Sequence, residues 1–304
     1  MSTIRNVLLA CAAALSIGAG QAPATPPAAA AAAPEGVKTV EEVVVTAAPT
    51  DQIKDFVADI SAPTLNGKLP RWDRKICPGI LGLKRDRAQF VIDRMAGVAF
   101  AVGLDVGEPG CKPNILVFVT NDSQAFTADA VKRYPNTFGK YNWEDNVYTR
   151  GRKALNDFVE TPRPVRWWHV SRLVGADGQA IQGKNLRVRD ASRIRSNVRT
   201  DFDKLIVIVD AKRSGGVTFQ GLADYIAMVS LAQINPNYDV AAAPSVLNIF
   251  IDRDAGRVPE TGVTNWDLAY LRGLYGTAPD SGSTATQKRR IVDKMKKGEA
   301  DPKP

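Results

Sequence analysis

The stretch between residues 219 and 234 constrains this chain more than any other. Its apolar residues, Leu222, Tyr225, Ile226, Met228, Val229, Leu231 and Ile234, go round the whole cylinder of a helix instead of keeping to one stripe. A helix apolar on every side belongs in a protein interior, so the fold must wrap a buried rod. Thr218 is placed to cap its start. Two continuous apolar runs, residues 114–120 and 204–209, have strand length and are expected to be covered on both faces.

The remaining patterns alternate irregularly between helix and strand. Residues 50–60 carry Ile53, Phe56, Val57 and Ile60 at helical spacing. Residues 85–102 carry Val91, Met95, Val98 and Val102 and stop at Gly103. Residues 165–174 read as a strand with Val165, Trp167, His169 and Leu173 on one face and Arg166, Trp168, Val170 and Arg172 on the other. Residues 186–189 and 193–195 are two further alternating pieces, and a helical turn is expected over residues 245–250. Thr264 and Asp267 have capping-box spacing ahead of a last helix. The expectation is a single α+β domain over residues 50–276, a mixed sheet with a buried central helix.

The flanks differ in composition from this domain. Arg5, an apolar stretch from Val7 to Gly18 and small residues beyond it read as a signal peptide over residues 1–24. Cys11 could suggest a lipoprotein, but the apolar stretch runs on through Ala12, Ala13, Ala14 and Leu15, which argues against that anchor. Residues 25–49 form an Ala/Pro-rich tether with a Val-rich segment. Residues 277–304 are expected to be a basic, disordered tail, with Lys288, Arg289, Arg290, Lys294, Lys296 and Lys297 outnumbering Asp293, Glu299 and Asp301. The chain carries a net charge of +8. In a periplasmic or secreted protein that charge suits an anionic envelope surface, not a nucleic acid. Cys77 and Cys111 remain once the leader is set aside, and in an oxidising compartment they are expected to pair.

One histidine, His169, excludes most triads and catalytic zinc centres. It falls on the core side of its strand. Asp224 is the one carboxylate on the apolar rod, too deep for the helix dipole to explain. It is either a satisfied carboxylate pinning a neighbouring loop or a functional acid. Arg187 and Arg189 share a strand face, as do Arg193 and Arg195. They could grip carboxylate or phosphate, or form the solvated outside of a hairpin. Asp252, Arg253, Asp254, Ala255 and Gly256 start like a calcium loop but misplace its glycine and an acid. Asp201, Asp203 and Asp210 could serve a glycosidase only if folding sets a pair at the right separation.

The buried strand, buried helix, short turn and Thr264-capped helix ending Leu274-Tyr275-Gly276 resemble the C-terminal half of the metzincin zinc proteases. The likeness covers residues 204–276. It sets the family's metal motif on Asp224, Tyr225, Met228 and Ile234, with Leu231 in place of its glycine and no methionine near residues 245–248. It therefore implies a zincin-like scaffold without zinc ligands, and no metal or cofactor. The whole chain is also similar to secreted proteins of alphaproteobacteria, a likeness that brings no established activity. Glu42, Val43, Val44, Val45 and Thr46 are similar to the TonB box of TonB-dependent receptors. This segment is either an arm for strand addition to a partner or an edge strand of the domain's own sheet.

These readings lead to a secreted, non-catalytic, zincin-like domain that binds an extended peptide or envelope component. Asp224 and Tyr225 would floor a strand-lined groove, with Arg187, Arg189, Arg193 and Arg195 on its rim or outer surface. A carboxylate-based hydrolase and a structural envelope protein are the alternatives.

Overall fold

The apolar runs become the middle of a mixed sheet. The computed structural model describes residues 50–138, 146–179, 181, 196–278 and 283–300, all of which belong to one compact unit, Thr46–Pro304. Strands β1 (Pro78–Leu81), β2 (Ile115–Thr120), β3 (Val147–Tyr148), β4 (Val165–Gly175) and β5 (Val198–Asp210) lie in the order β1-β2-β5-β4-β3. β1, β2 and β5 are parallel, β4 is antiparallel to β5, and β3 is antiparallel to β4. The signal region, the Val-rich segment with Glu42, Val43, Val44, Val45 and Thr46, and Arg187, Arg189, Arg193 and Arg195 lie outside the described residues.

Period-two alternation divides the sheet between two cores. Leu205, Val207 and Val209 of β5 face the larger one with Ile115, Val117, Val165 and Trp167. Ile206 and Ile208 face the smaller one with Trp168, Val170, Phe138 and Phe158. β5 is thus covered on both faces as expected. β2 is not: Ile115 and Val117 are buried, while Leu116 and Phe118 stay partly open. The helices that make the smaller core, α3 (Ser123–Arg133), α4 (Pro135–Phe138) and α5 (Gly151–Glu160), cover the β2 end of that face incompletely.

The larger core is built by α1 (Thr50–Ile60), α2 (Arg85–Ala101), α6 (Phe219–Leu231), α7 (Ile249–Asp254), α8 (Asn265–Tyr275) and α9 (Thr284–Ala300). The buried residues of α1 are Ile53, Phe56, Val57 and Ile60. α6 is the interior rod, buried from Ala223 through Leu231, and Thr218 Oγ1 accepts from Gly221 N–H at 2.9 Å. A 3-10 turn, Val246–Asn248, leads into α7. Thr264 and Asp267 form the expected capping box of α8.

The end of α1 is stitched to the end of α6. Ala62 N–H donates to Gln233 O at 3.1 Å and Asn235 N–H to Ile60 O at 2.8 Å. Gln233 Nε2 donates to Ala62 O at 2.5 Å and Asn235 Nδ2 to Asp59 O at 3.3 Å. Cys77 and Cys111 form the expected disulfide, joining the start of β1 to the loop after α2.

The expected disordered tail is in part the helix α9. Ile291, Val292 and Met295 are buried in the larger core, and Gln287 bonds both backbone groups of Leu69, at 3.0 and 3.2 Å. The helix seats itself on a narrow stripe, and the many charges around that stripe hid it.

Candidate functional site

Asp224 has no exposed surface, and its carboxylate is satisfied from two directions. Arg94 of α2 clamps it bidentately, Nε to Oδ1 at 2.7 Å and Nη2 to Oδ2, and Val263 N–H donates to Oδ2 at 3.0 Å. The hydrogen bonds to Asp224 hold the Arg94 guanidinium above its ordinary pKa. A Cβ at Gly262 would lie 2.5 Å from Oδ2, so the loop approaches this closely only because a glycine stands there. The arrangement is that of a carboxylate pinning the loop ahead of α8 to α2. No second acid is among its partners.

Tyr225 follows Asp224 in the helix and so points about 100° away. Its hydroxyl lies 3.1 Å from that of Tyr238, which donates to Leu247 O at 2.7 Å. Burial pushes the Tyr225 phenol up to about 12. Asp224 and Tyr225 therefore do not floor one groove, contrary to expectation. Met228, Leu231 and Ile234 are fully buried in the larger core. Among the described residues no group of three or more His, Cys, Asp or Glu could hold a metal ion.

His169 is buried on the core side of β4 and stacks on Phe202 at 4.5 Å. Burial pushes its imidazole down to about 3, Arg150 nearby adds to this, and a bond to the Ser230 backbone opposes it. Asp267, also sealed, accepts from Ser245 Oγ, Val246 N–H and Thr264 N–H at 2.5, 2.8 and 2.9 Å. Asp201 is tied to Arg199 at 3.0 Å, and burial raises its carboxyl. Asp210 accepts from Ser123 Oγ at 2.7 Å and from Lys212 and Arg213 N–H at 3.0 Å each.

Among the described residues a surface feature that could receive a ligand lies elsewhere, between α1 and the loop 239–243. It is a groove of about 690 Å³ floored by Phe56, Val240 and Ala243. Asp55, Asp59 and Asp239 stand along it. Phe56 is held edge-on by Trp266 and Tyr270, at 5.5 and 6.0 Å. Gln52 Nε2 donates to Ala242 O at 2.5 Å and Asp239 N–H to Asp59 Oδ2, so both walls are tied together. Lys288 of α9 reaches the Ala58 carbonyl at 2.9 Å, bringing one cation near Asp59. The size lies within the range of small-ligand and peptide pockets. The sequence carried half of this signal: Asp55 and Asp59 are four apart and share one face of α1.

A second, much narrower crevice of about 20 Å³ opens beside β4, lined by Arg150, Arg163, His169 and Gln233 among others. Among the described residues no helix is long and apolar enough to cross a membrane. No family model, curated protein or solved structure matches the chain.

Proposed function

We propose that this protein is a non-catalytic binding domain of an oxidising, extracytoplasmic compartment, and that it takes an extended, basic peptide segment in the groove between α1 and the loop 239–243. The observation that carries this reading is the acid-walled groove with an aromatic floor on a chain whose net charge is +8. Lysine or arginine side chains of a peptide would meet Asp55 and Asp239, and their aliphatic stems would lie over Phe56 and Val240. The absence of catalysis is supported by the state of the interior acids. Asp224 and Asp267 spend their oxygens on structural donors, and His169 is sealed away from the groove.

The metzincin likeness fits this reading as descent, with Asp224, Met228 and Ile234 turned over to packing. Strand addition is the less favoured mode of capture. Pro78 removes a donor from the β1 edge, and Ile76 beside it is already bonded to Asp105 and Gly107. An anionic envelope surface remains part of the proposal, since Arg289, Lys294 and Lys297 of α9 stay exposed.

Calorimetric titration with a lysine-rich and a glutamate-rich peptide of equal length tests the groove. The lysine peptide should bind, and the doubly substituted Asp55→Asn, Asp239→Asn protein should lose roughly tenfold or more in affinity, about 1.4 kcal/mol. Asp59 is left intact because it holds the Asp239 backbone. Equal binding of both peptides, or an unchanged affinity in the variant, would overturn the proposal.

A further inference from the structure

The crevice beside β4 carries a charge imbalance that the fold does not resolve. Three guanidiniums, those of Arg150, Arg163 and Arg166, line it. Among the described residues one carboxylate is paired with them: Asp157 accepts from Arg163 Nη2 with both oxygens, at 3.1 Å each, while Asp210 and Asp122 act on Arg166 without touching it. Arg166 is almost wholly buried, and its hydrogen-bonding partners are neutral oxygens, Thr161 O, Ser123 O, Thr127 Oγ1 and Gln124 Oε1. Among the described residues Arg150 makes one long hydrogen-bond contact, to Asn235 Oδ1 at 3.5 Å, and Asp157 acts on it at longer range. A cation withdrawn from water without a counter-charge is costly. Among the described residues Arg166 has no carboxylate in contact, only Asp210 and Asp122 at longer range, and Arg163 acts on it with the same sign.

Its wall also holds polar atoms that lack partners. His169 Nε2 and Gln233 Oε1 are buried and unpaired. Both residues are more than nine-tenths buried, and both line the crevice. Burial keeps the His169 ring neutral, so its Nε2 has no charge to offer an anion and waits for a partner of its own. Gln233 Nε2 is committed to Ala62 O, which fixes Oε1 as the free end. The backbone of β4 adds to these. Asp210 N–H donates to Pro164 O at 2.8 Å, so the alternation of an antiparallel ladder turns residues 166, 168 and 170 toward β5 and Val165, Trp167 and His169 outward. β3 pairs only with Ser171 and Arg172. Trp167 and His169 are among the residues that line the crevice, together with Ala154 and Phe158 of α5.

We infer that this crevice is a binding site for one small oxyanion of the carboxylate class, free or as the end group of a peptide, held by the guanidinium of Arg150 with Arg163 beside it. The enclosed part, about 20 Å³, is room for little more than one water-sized centre, so the anion would sit at the crevice mouth with an oxygen inside. The anion's oxygens take the spare N–H groups of Arg150 in the fork geometry that guanidinium offers a carboxylate. A water on the anion, or the amide N–H of a peptide end, gives Gln233 Oε1 the donor it lacks. This site is separate from the acid-walled groove and opposite to it in charge.

Thermal unfolding of the full chain at constant ionic strength tests the inference, with acetate, inorganic phosphate, chloride, and a short peptide with either a free or an amidated C-terminus as probes. Acetate should raise Tm saturably by a few degrees. Arg150→Gln should abolish that rise and Arg150→Lys should weaken it. Arg152→Gln, which removes an exposed arginine of α5 two positions further on, should leave it intact. A stronger response to the free-ended than to the amidated peptide assigns the site to peptide ends, and a response to acetate alone assigns it to a free anion. No saturable response to acetate or the free-ended peptide, a response to phosphate or chloride alone, or the same acetate response in Arg150→Gln overturns the inference. The Asp55→Asn, Asp239→Asn protein should respond to acetate like the parent, so the two sites fail independently.

Discussion

His169 shows how one buried group sets a dependence on pH. Its pKa is pushed from an ordinary 6.5 down to about 3. Between those values the unfolded chain binds a proton that the folded one refuses. Stability from this group is therefore complete above about pH 6.5 and falls as pH falls, by up to about 1.4 kcal/mol per pH unit. Urea titrations of the parent and of His169→Phe should diverge below pH 6.5, with the variant losing less per unit. Parallel curves would mean that the folded protein takes up the proton. At this scale the sequence was partly legible. The alternation of residues 165–174 placed His169 inward, and the apolar rod marked Asp224 as a carboxylate needing a partner. That partner, Arg94, stands 130 positions away, and nothing local announces it.

Among elements, α9 is the one that composition concealed. A stripe of Ile291, Val292 and Met295 is too narrow to stand out among so many lysines and arginines. It suffices because α8 offers it a small residue: a Cβ at Gly273 would meet Ile291 at 3.0 Å. Met295→Ala should cost about 2–5 kcal/mol, read as a lower urea midpoint with an unchanged m-value. A cost near zero would mean that α9 is not packed in solution. The elements that sequence did foretell, α1, α2, α6 and α8, each carry a broad apolar face or a side-chain cap within a few residues. Those it missed, α3 and α5, bury little more than a residue or two each and take their place from the sheet beneath them.

For the molecule as a whole, pairing was readable and sites were not. Cys77 and Cys111 were expected to pair with each other, and they do. Their bond encloses α2 and β1, and its loss should cost about 3–4 kcal/mol in the chain-entropy account. Comparing the Cys77→Ala, Cys111→Ala protein with the parent in urea checks this, and equal midpoints would refute it. The acid-walled groove joins segments as much as 190 positions apart, so one-dimensional spacing could not draw it. The stitch between Ala62 and Gln233, and between Ile60 and Asn235, has a mechanical consequence. The exit of α1 is thereby anchored, through backbone bonds, to the segment that leaves the central rod, so the point where the chain enters the domain and the centre of its core are held as one piece.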